Sequence, residues 1–459
     1  MKNKIELRDY QKDLVVRFNS TILSGCKRIM MQLPTGGGKT VVFGAIANDF
    51  VFNNKRVLVL AHRVELILQA SKKLKAIANC ETGIIKSGYP QNIDAPIQIA
   101  SIQSLVNRLN LFDSFDLIIV DEAHHSTSKT YRKILSHYST AIQLGVTATP
   151  IRLDGSGFRD VFDELISGIT VRELIDKKYL SPFSLYAHNT TMTTKGVKTI
   201  NGDFSSSEIA RNNDAINLSG HLINSYRQYA NGLKCLVFAI NIDHSRIICD
   251  RYNQMGISAI HLDGHSKEDE RKEALQKFAD GEIKVITNCN LFDEGLDIPC
   301  LEAVQVARPT RSISKWLQMV GRSLRTSENK EKAIIIDHTE NWAFHGLPTK
   351  PRIWTLDGIE TKNKTHLERK ESGEIREVIV TEDEDFLLTE IDSSVETEWQ
   401  QLFDDLIQKR ECFGFKKGWL YYQLIELKPP LEIWIQCEKY LGYRRGWASH
   451  RYKEQIQTT

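Results

Sequence analysis

The sequence predicts an α/β fold: two tandem parallel-sheet lobes followed by a small C-terminal module. Three observations carry this. Short apolar runs alternate with helical stretches, the βαβ rhythm of a parallel sheet covered on both faces. The rhythm breaks and then restarts. A length of 459 residues exceeds one ordinary core, while 41% hydrophobic residues supply enough apolar surface for two.

In the first lobe, residues 28–33, 56–61, 97–102, 115–120 and 142–146 read as buried strands, with helices such as 64–78 and 129–137 between them. The rhythm resumes at 235–239, 257–262, 284–288, 303–307 and 333–337. The less regular stretch from Val171 to about Gly232 reads as the crossover. The lobes are expected at 1–183 and 184–350. Residues 351–407 read as an acidic linker, because positions 381–406 carry ten acidic side chains and no Lys or Arg. Residues 408–459 reverse the balance, with ten Lys/Arg against five Glu, and ten aromatics. They contain a repeat: Gly414-Phe415-Lys416-Lys417-Gly418-Trp419 returns as Gly442-Tyr443-Arg444-Arg445-Gly446-Trp447. Its aromatics and basic groups suit stacked bases and phosphates, a mini-core with a wet rim, or a protein partner.

Composition narrows the class. A formal net charge of +2 gives no overall pull on nucleic acid, which would need local basic surfaces. Eight scattered cysteines with no Cys-x-x-Cys pair argue against zinc and iron–sulfur sites and fit a reduced, cytoplasmic compartment. Eight charged residues among the first twenty leave no signal peptide, and no apolar run approaches the ~18 residues of a membrane span.

Four motifs carry chemistry. Leu33-Pro34-Thr35-Gly36-Gly37-Gly38-Lys39-Thr40 follows a predicted strand and precedes a helical run, the context of a P-loop. Its glycines let backbone N–H groups close on phosphate oxygens at a helix N-terminus. Lys39 would neutralise the β/γ-phosphates of ATP and Thr40 would ligate Mg²⁺. Leu33 departs from the usual Gly or Ala. The strand 115–120 ends in Asp121 and Glu122, placing Asp121 to hold Mg²⁺ and Glu122 to orient and deprotonate water. His125 reads as structural. Thr147-Ala148-Thr149-Pro150 and Gln318-Met319-Val320-Gly321-Arg322-Ser323-Leu324-Arg325 complete the series. Arg322 and Arg325, three apart on a predicted helix, would share one face and meet the γ-phosphate when the lobes close. Asp154-Gly155-Ser156-Gly157 reads as a flexible loop, either a plain connection or a nucleic-acid contact. Trp316 reads as a packing aromatic.

Together these motifs resemble superfamily 2 helicases with a DEAH-type box, within the DNA-directed branch of XPB-, UvsW- and restriction-translocase-like motors. The resemblance spans about residues 5–350 and implies RecA-like lobes, ATP with Mg²⁺, and a nucleic-acid partner. Leu7-Arg8-Asp9-Tyr10-Gln11 resembles the Q-motif, in which Gln11 reads the adenine, beside Arg8. Thr35, Gly36, Gly37 and Gly38 would cradle phosphate. His62, Arg63, Ser101 and Gln103 fall in motifs that touch the nucleic-acid backbone. His124, Thr147, Thr149 and Gln318 fall in the coupling motifs. Gly295 and Asp297 resemble the motif shared by nucleotide and strand. Thr147 where RNA-directed relatives carry Ser, and Val320 where they carry Arg, favour duplex DNA. The alternatives are a restriction-system motor, an RNA helicase, or an ATP-gated clamp. No nuclease constellation stands out after residue 350.

Overall fold

The computed structural model describes residues 6–358 apart from 62–63, 79, 153–154, 188–193, 195, 201, 213–214, 293–297, 299, 329 and 340, together with 389–391 and single positions between 403 and 451. The first lobe runs α1 (Asp9–Leu23), β1 (Arg28–Gln32), α2 (Lys39–Phe52), β2 (Val57–Ala61), α3 (Val64–Ala78), β3 (Thr82–Ile85), β4 (Ile97–Ser101), α4 (Ile102–Leu105), β5 (Leu117–Asp121), α5 (Lys129–His137), β6 (Ile142–Thr147) and β7 (Glu164–Ser167). The second runs α6 (Val171–Asp176), β8 (Phe183–Ala187), a β9 (Thr199–Ile200) and β10 (Asp203–Phe204) hairpin, α7 (Ser206–Asn212), α8 (Ala215–Tyr229), β11 (Cys235–Ala239), α9 (Ile242–Gln254), β12 (Ala259–Leu262), α10 (Glu268–Asp280), β13 (Val285–Asn288), β14 (Ala303–Ala307), α11 (Ile313–Gly321), β15 (Ala333–Asp337), α12 (Asn341–His345) and, later, β16 (Thr389–Ile391).

Each lobe is built on a seven-stranded sheet, in the orders β3-β4-β2-β5-β6-β1-β7 and β12-β13-β11-β14-β15-β8-β16. All pairings within these sheets are parallel except β16 on β8. Both faces are buried, which is why the strands read as unbroken apolar runs. Ile29, Met31, Val57, Val59, Ile97 and Ile99 pack on one face of the first sheet, and Met30, Leu58, Leu60, Ile118 and Val120 on the other. The second sheet alternates likewise, with Leu236 and Phe238 on one side and Cys235 and Val237 on the other. Among the described residues no helix is long and apolar enough to cross a membrane.

The stretch read as an irregular crossover holds more order than expected. Its β8 lies inside the second sheet, between β15 and β16. Leu174, Leu180 and Phe183 belong to the second core, ahead of the expected boundary at 184. Part of the expected acidic linker is the edge strand β16.

After the second lobe the chain returns to the first. Leu356 is buried in the first lobe's core beside Phe158 and Phe162. Its carbonyl accepts from Phe158 N at 2.6 Å and Arg159 N at 3.2 Å. Arg159 pairs with Asp357 through two contacts of 2.9 and 3.3 Å, and Ser156 bridges Gly358. A Cβ at Gly157 would sit 2.0 Å from the Leu356 oxygen, so only glycine admits this strap. The 155–157 loop is therefore a docking strip for residues 356–358.

A separate compact unit comprises 361–384 and 394–459. Its described core is Phe403, Leu406, Leu420, Leu424, Trp434, Cys437 and Leu441. That core begins before the expected boundary at 408. Phe415, Lys416, Lys417, Trp419, Tyr443, Arg444, Arg445 and Trp447 lie outside the described residues.

Candidate active site

Three neighbouring strands deliver the first lobe's polar groups to one edge. Register aligns Gln32 of β1 with Thr147 of β6, and Val146 of β6 with Asp121 of β5. The loop after β1 therefore faces the carboxylates after β5. Leu33, the departure from the P-loop pattern, is fully buried and packs beneath Gly37. Gly38 has φ +86°, and a Cβ there would meet Gln11 Nε2 at 2.5 Å. Lys39 opens α2 directly after it.

A chain of contacts crosses the floor. Lys39 Nζ lies 3.4 Å from Glu122 Oε1, and His124 Nδ1 lies 3.5 Å from Glu122 Oε2. His124 Nδ1 is 3.4 Å from Thr147 Oγ1. Glu122 holds a left-handed φ of +49°. For a residue with a Cβ this costs roughly 1–2 kcal/mol, so the surroundings fix it. Its N–H donates to Asp121 Oδ1 at 3.0 Å.

The loop's other side carries the Q-motif. Tyr10 OH donates to the Gly37 carbonyl at 2.8 Å, and buried Gln11 accepts from Arg8 N at 3.0 Å. The Arg8 guanidinium stacks 3.9 Å over Tyr179, which the sequence reading missed. Tyr179 follows the short α6 in the stretch that had no clear period.

The second lobe contributes through α11, whose N-terminus is capped by Ser312 accepting from Lys315 N at 3.3 Å. Gln318, Arg322 and Arg325 join Arg8, Thr35, Gly36, Gly38, Lys39, Thr40, Asp121 and Glu122 around a cavity of about 340 Å³. Lys73 of α3, Tyr179 and Thr326 line it as well, unannounced by any motif. A Cβ at Gly321 would lie 2.9 Å from Thr35 Cβ, so this glycine lets the lobes approach. The expected helix through both arginines is corrected. α11 ends at Gly321, residues 322–324 form a turn, and Arg325 pairs as a bridge with Leu180. Ser181 N claims the Leu324 carbonyl at 2.7 Å, which pulls the chain out of helix. Both arginines still reach the cavity.

Thr147 and Thr149 lie just behind the site. Thr147 Oγ1 accepts from Thr149 N at 3.2 Å, and the Thr149 hydroxyl bonds to that of Ser314 on α11. Ser314 was not singled out by sequence, although it sits one turn before Gln318. Ser101 ends β4 and its hydroxyl donates to Gln103 Oε1 at 2.9 Å, away from the cavity. His62, Arg63, Gly295 and Asp297 lie outside the described residues. Trp316 is fully buried in the second core, as a packing aromatic should be.

The Thr40 hydroxyl and the Asp121 carboxylate line one cavity as hard oxygen donors. That set suits Mg²⁺, which keeps several waters and takes few protein ligands beside phosphate oxygens.

A family model described as the res subunit of type III restriction enzymes matches residues 4–152, and a helicase conserved C-terminal domain matches 216–327. A 51.5 kDa protein of a Lactococcus phage is 35% identical over 71% of this chain and 68% of its own. The chain belongs to the superfamily 2 helicases. It is an ATP-hydrolysing enzyme of helicase and translocase type. A Sulfurisphaera tokodaii protein named DNA 3′-5′ translocase XPB2 is 28% identical to this helicase over 77% of the chain and 86% of the relative. Against two yeast relatives the chain spans 51% and 61% of their lengths. In fold, the helicase resembles a fragment of an HsdR subunit of a type I restriction enzyme from Vibrio vulnificus, with TM-score 0.57, 24% identity, and coverage of 76% and 68%.

Proposed function

We propose that this helicase couples ATP hydrolysis in the interlobe cavity to movement along duplex DNA in the cytoplasm. The supporting observation is that one cavity draws Lys39, Thr40, Asp121 and Glu122 from the first lobe and Gln318, Arg322 and Arg325 from the second. Phosphoryl transfer needs positioning and charge stabilisation more than covalent chemistry. Lys39 and the P-loop amides bind the phosphates. Gln11 reads the adenine while Arg8 and Tyr179 flank it. Thr40 and Asp121 would hold Mg²⁺, which would supply charge neutralisation for the phosphates. Glu122 orients the attacking water and accepts its proton. Arg322 and Arg325 stabilise the γ-phosphoryl charge only while the lobes are together. ATP therefore favours closure and hydrolysis releases it.

DNA is favoured by Thr147, by Val320 and by the relative named as a DNA translocase. His62, Arg63, Ser101 and Gln103 contact the backbone, as suits a motor indifferent to sequence. A second reading, the motor of a restriction system, draws on the res-subunit match. ATPase assays with duplex DNA and with RNA test the proposal, run beside triplex and fork displacement. DNA-stimulated turnover with triplex displacement is the expected result. Stimulation by RNA alone, or turnover without any displacement, would overturn it.

A further inference from the structure

Lys330 belongs to none of the motifs read from the sequence. It follows the arginine segment on the connection to β15. Its Nζ donates to three backbone carbonyls: Leu301 at 2.7 Å, Arg325 at 2.8 Å, and Ser323 in a closer contact. An ammonium has three N–H donors and no acceptor, so every donor is used. Two of the three acceptors lie in the segment that carries Arg322 and Arg325, beyond the end of α11. The third lies in the turn before β14 and belongs to the second core.

Burial of this cation is unfavourable. Desolvation pushes Lys330 down to about 8, and the neighbouring Arg325 charge pushes the same way. Glu302 and Cys300 face it with the opposite effect. The Cys300 thiol is itself raised by burial, with Lys234 and Glu302 nearby. A segment that needed only filling would be served by an apolar side chain. A three-donor cation under three carbonyls instead fixes a backbone that has left the helix.

We propose that Lys330 is a positioning residue for hydrolysis: its ammonium clamps the Ser323 and Arg325 carbonyls and so holds both arginines at the cavity. This rests on the reading of Arg322 and Arg325 as charge-stabilising groups. Above about pH 8 the neutral amine has two donors for three carbonyls, and the clamp loosens.

The test compares Lys330→Met, Arg325→Ala and the double variant. Turnover is measured at saturating ATP and DNA across pH, with fluorescent-nucleotide affinity and thermal melting alongside. Lys330→Met should keep nucleotide affinity within about twofold and lose about tenfold or more in kcat at neutral pH. The double variant should be little slower than Arg325→Ala alone. The wild-type decline near pH 8 should vanish in Lys330→Met. Normal kcat in a folded Lys330→Met, or losses that multiply in the double, overturn the clamp. Normal kcat in Arg325→Ala instead overturns the arginine reading itself. Should Lys330→Met fail to fold, Lys330→Gln, which retains two donors, takes its place. A pH profile for that variant identical to wild type then overturns the clamp.

Discussion

The hydroxyls of Thr149 and Ser314 are hydrogen-bonded across the two lobes. Both are buried, at 0% and 4% exposure. Thr149 is tied through Thr147 to His124 and Glu122, and Ser314 sits one turn from Gln318. A hydrogen-bonded path, passing through the Thr149 backbone, thus links the Glu122 carboxylate to α11 of the second lobe. Removing either hydroxyl leaves the other buried without this partner, which typically costs about 1–3 kcal/mol. Thr149→Val and Ser314→Ala should each reduce DNA stimulation of ATPase by about tenfold, and the double should match the singles. Stimulation factors that multiply in the double would mean the contact carries no coupling.

Lys39→Ala and Glu122→Gln should both abolish turnover, by separate routes. Lys39 supplies ground-state phosphate charge, so its loss weakens ATP binding. Glu122→Gln keeps the side chain's size, so ATP still binds while the base is gone. Equilibrium nucleotide binding and steady-state turnover separate the two. A near-normal rate in Glu122→Gln would remove it from the chemistry.

Arg322→Ala and Arg325→Ala should retain the first lobe's contacts to ATP while hydrolysis falls sharply. Arginine fingers are worth about 10³–10⁵ in rate where measured. DNA-stimulated ATPase near normal in both variants would make them a structural pair.

Acid should destabilise the second lobe. Burial pushes both His244 and His345 down to about 4. Unfolded, each binds a proton near pH 6.5, so between about 6.5 and 4 the unfolded state holds more protons. Stability is therefore full above that window and falls as pH drops through it, by on the order of 1 kcal/mol per pH unit for each group. Melting at pH 7 and pH 5 reads this. His244→Asn and His345→Asn should each flatten the dependence; parallel slopes in all three proteins would assign it elsewhere.

The C-terminal unit should bind DNA through its repeated basic turns. Because Phe403 and Leu406 share a core with Leu420 and Trp434, a deletion starting at 408 would split it. Removing 394–459 avoids this and should lower DNA affinity with a shallower salt dependence. Reversing the charge of Lys416, Lys417, Arg444 and Arg445 should have the same effect. Unchanged affinity at two salt concentrations would point to a protein partner or a purely structural role.

The sheets and the first lobe's cavity-lining groups were legible because both arise from local pattern. An apolar run bounded by a glycine-rich or acidic turn announces a buried strand and the polar groups at its end in a single stretch, as at Asp121 and Lys39. Contacts made between distant segments left no such mark. Tyr179, Ser314 and Lys330 act through partners far away in the chain or through backbone carbonyls, which no spacing reveals. β8 was missed because its sheet neighbour, β15, lies some 150 residues onward. The arginine segment read as helix because its departure is imposed by Leu180, Ser181 and Lys330, all outside the motif.

The strap at 356–358 changes what kind of object the second lobe is. Its main body, α6 to α12, is inserted into the first lobe and held at both its entry and its exit, while β16 joins its sheet from beyond the strap. When the lobes part, neither end can drift, so each faces the other at a high effective concentration and reclosing is an intramolecular event. Wider separation would draw Leu356 out of the first lobe's core, at about 1.5–3 kcal/mol for that side chain alone. Any parting of the lobes is therefore bounded by the chain's own covalent path at both ends.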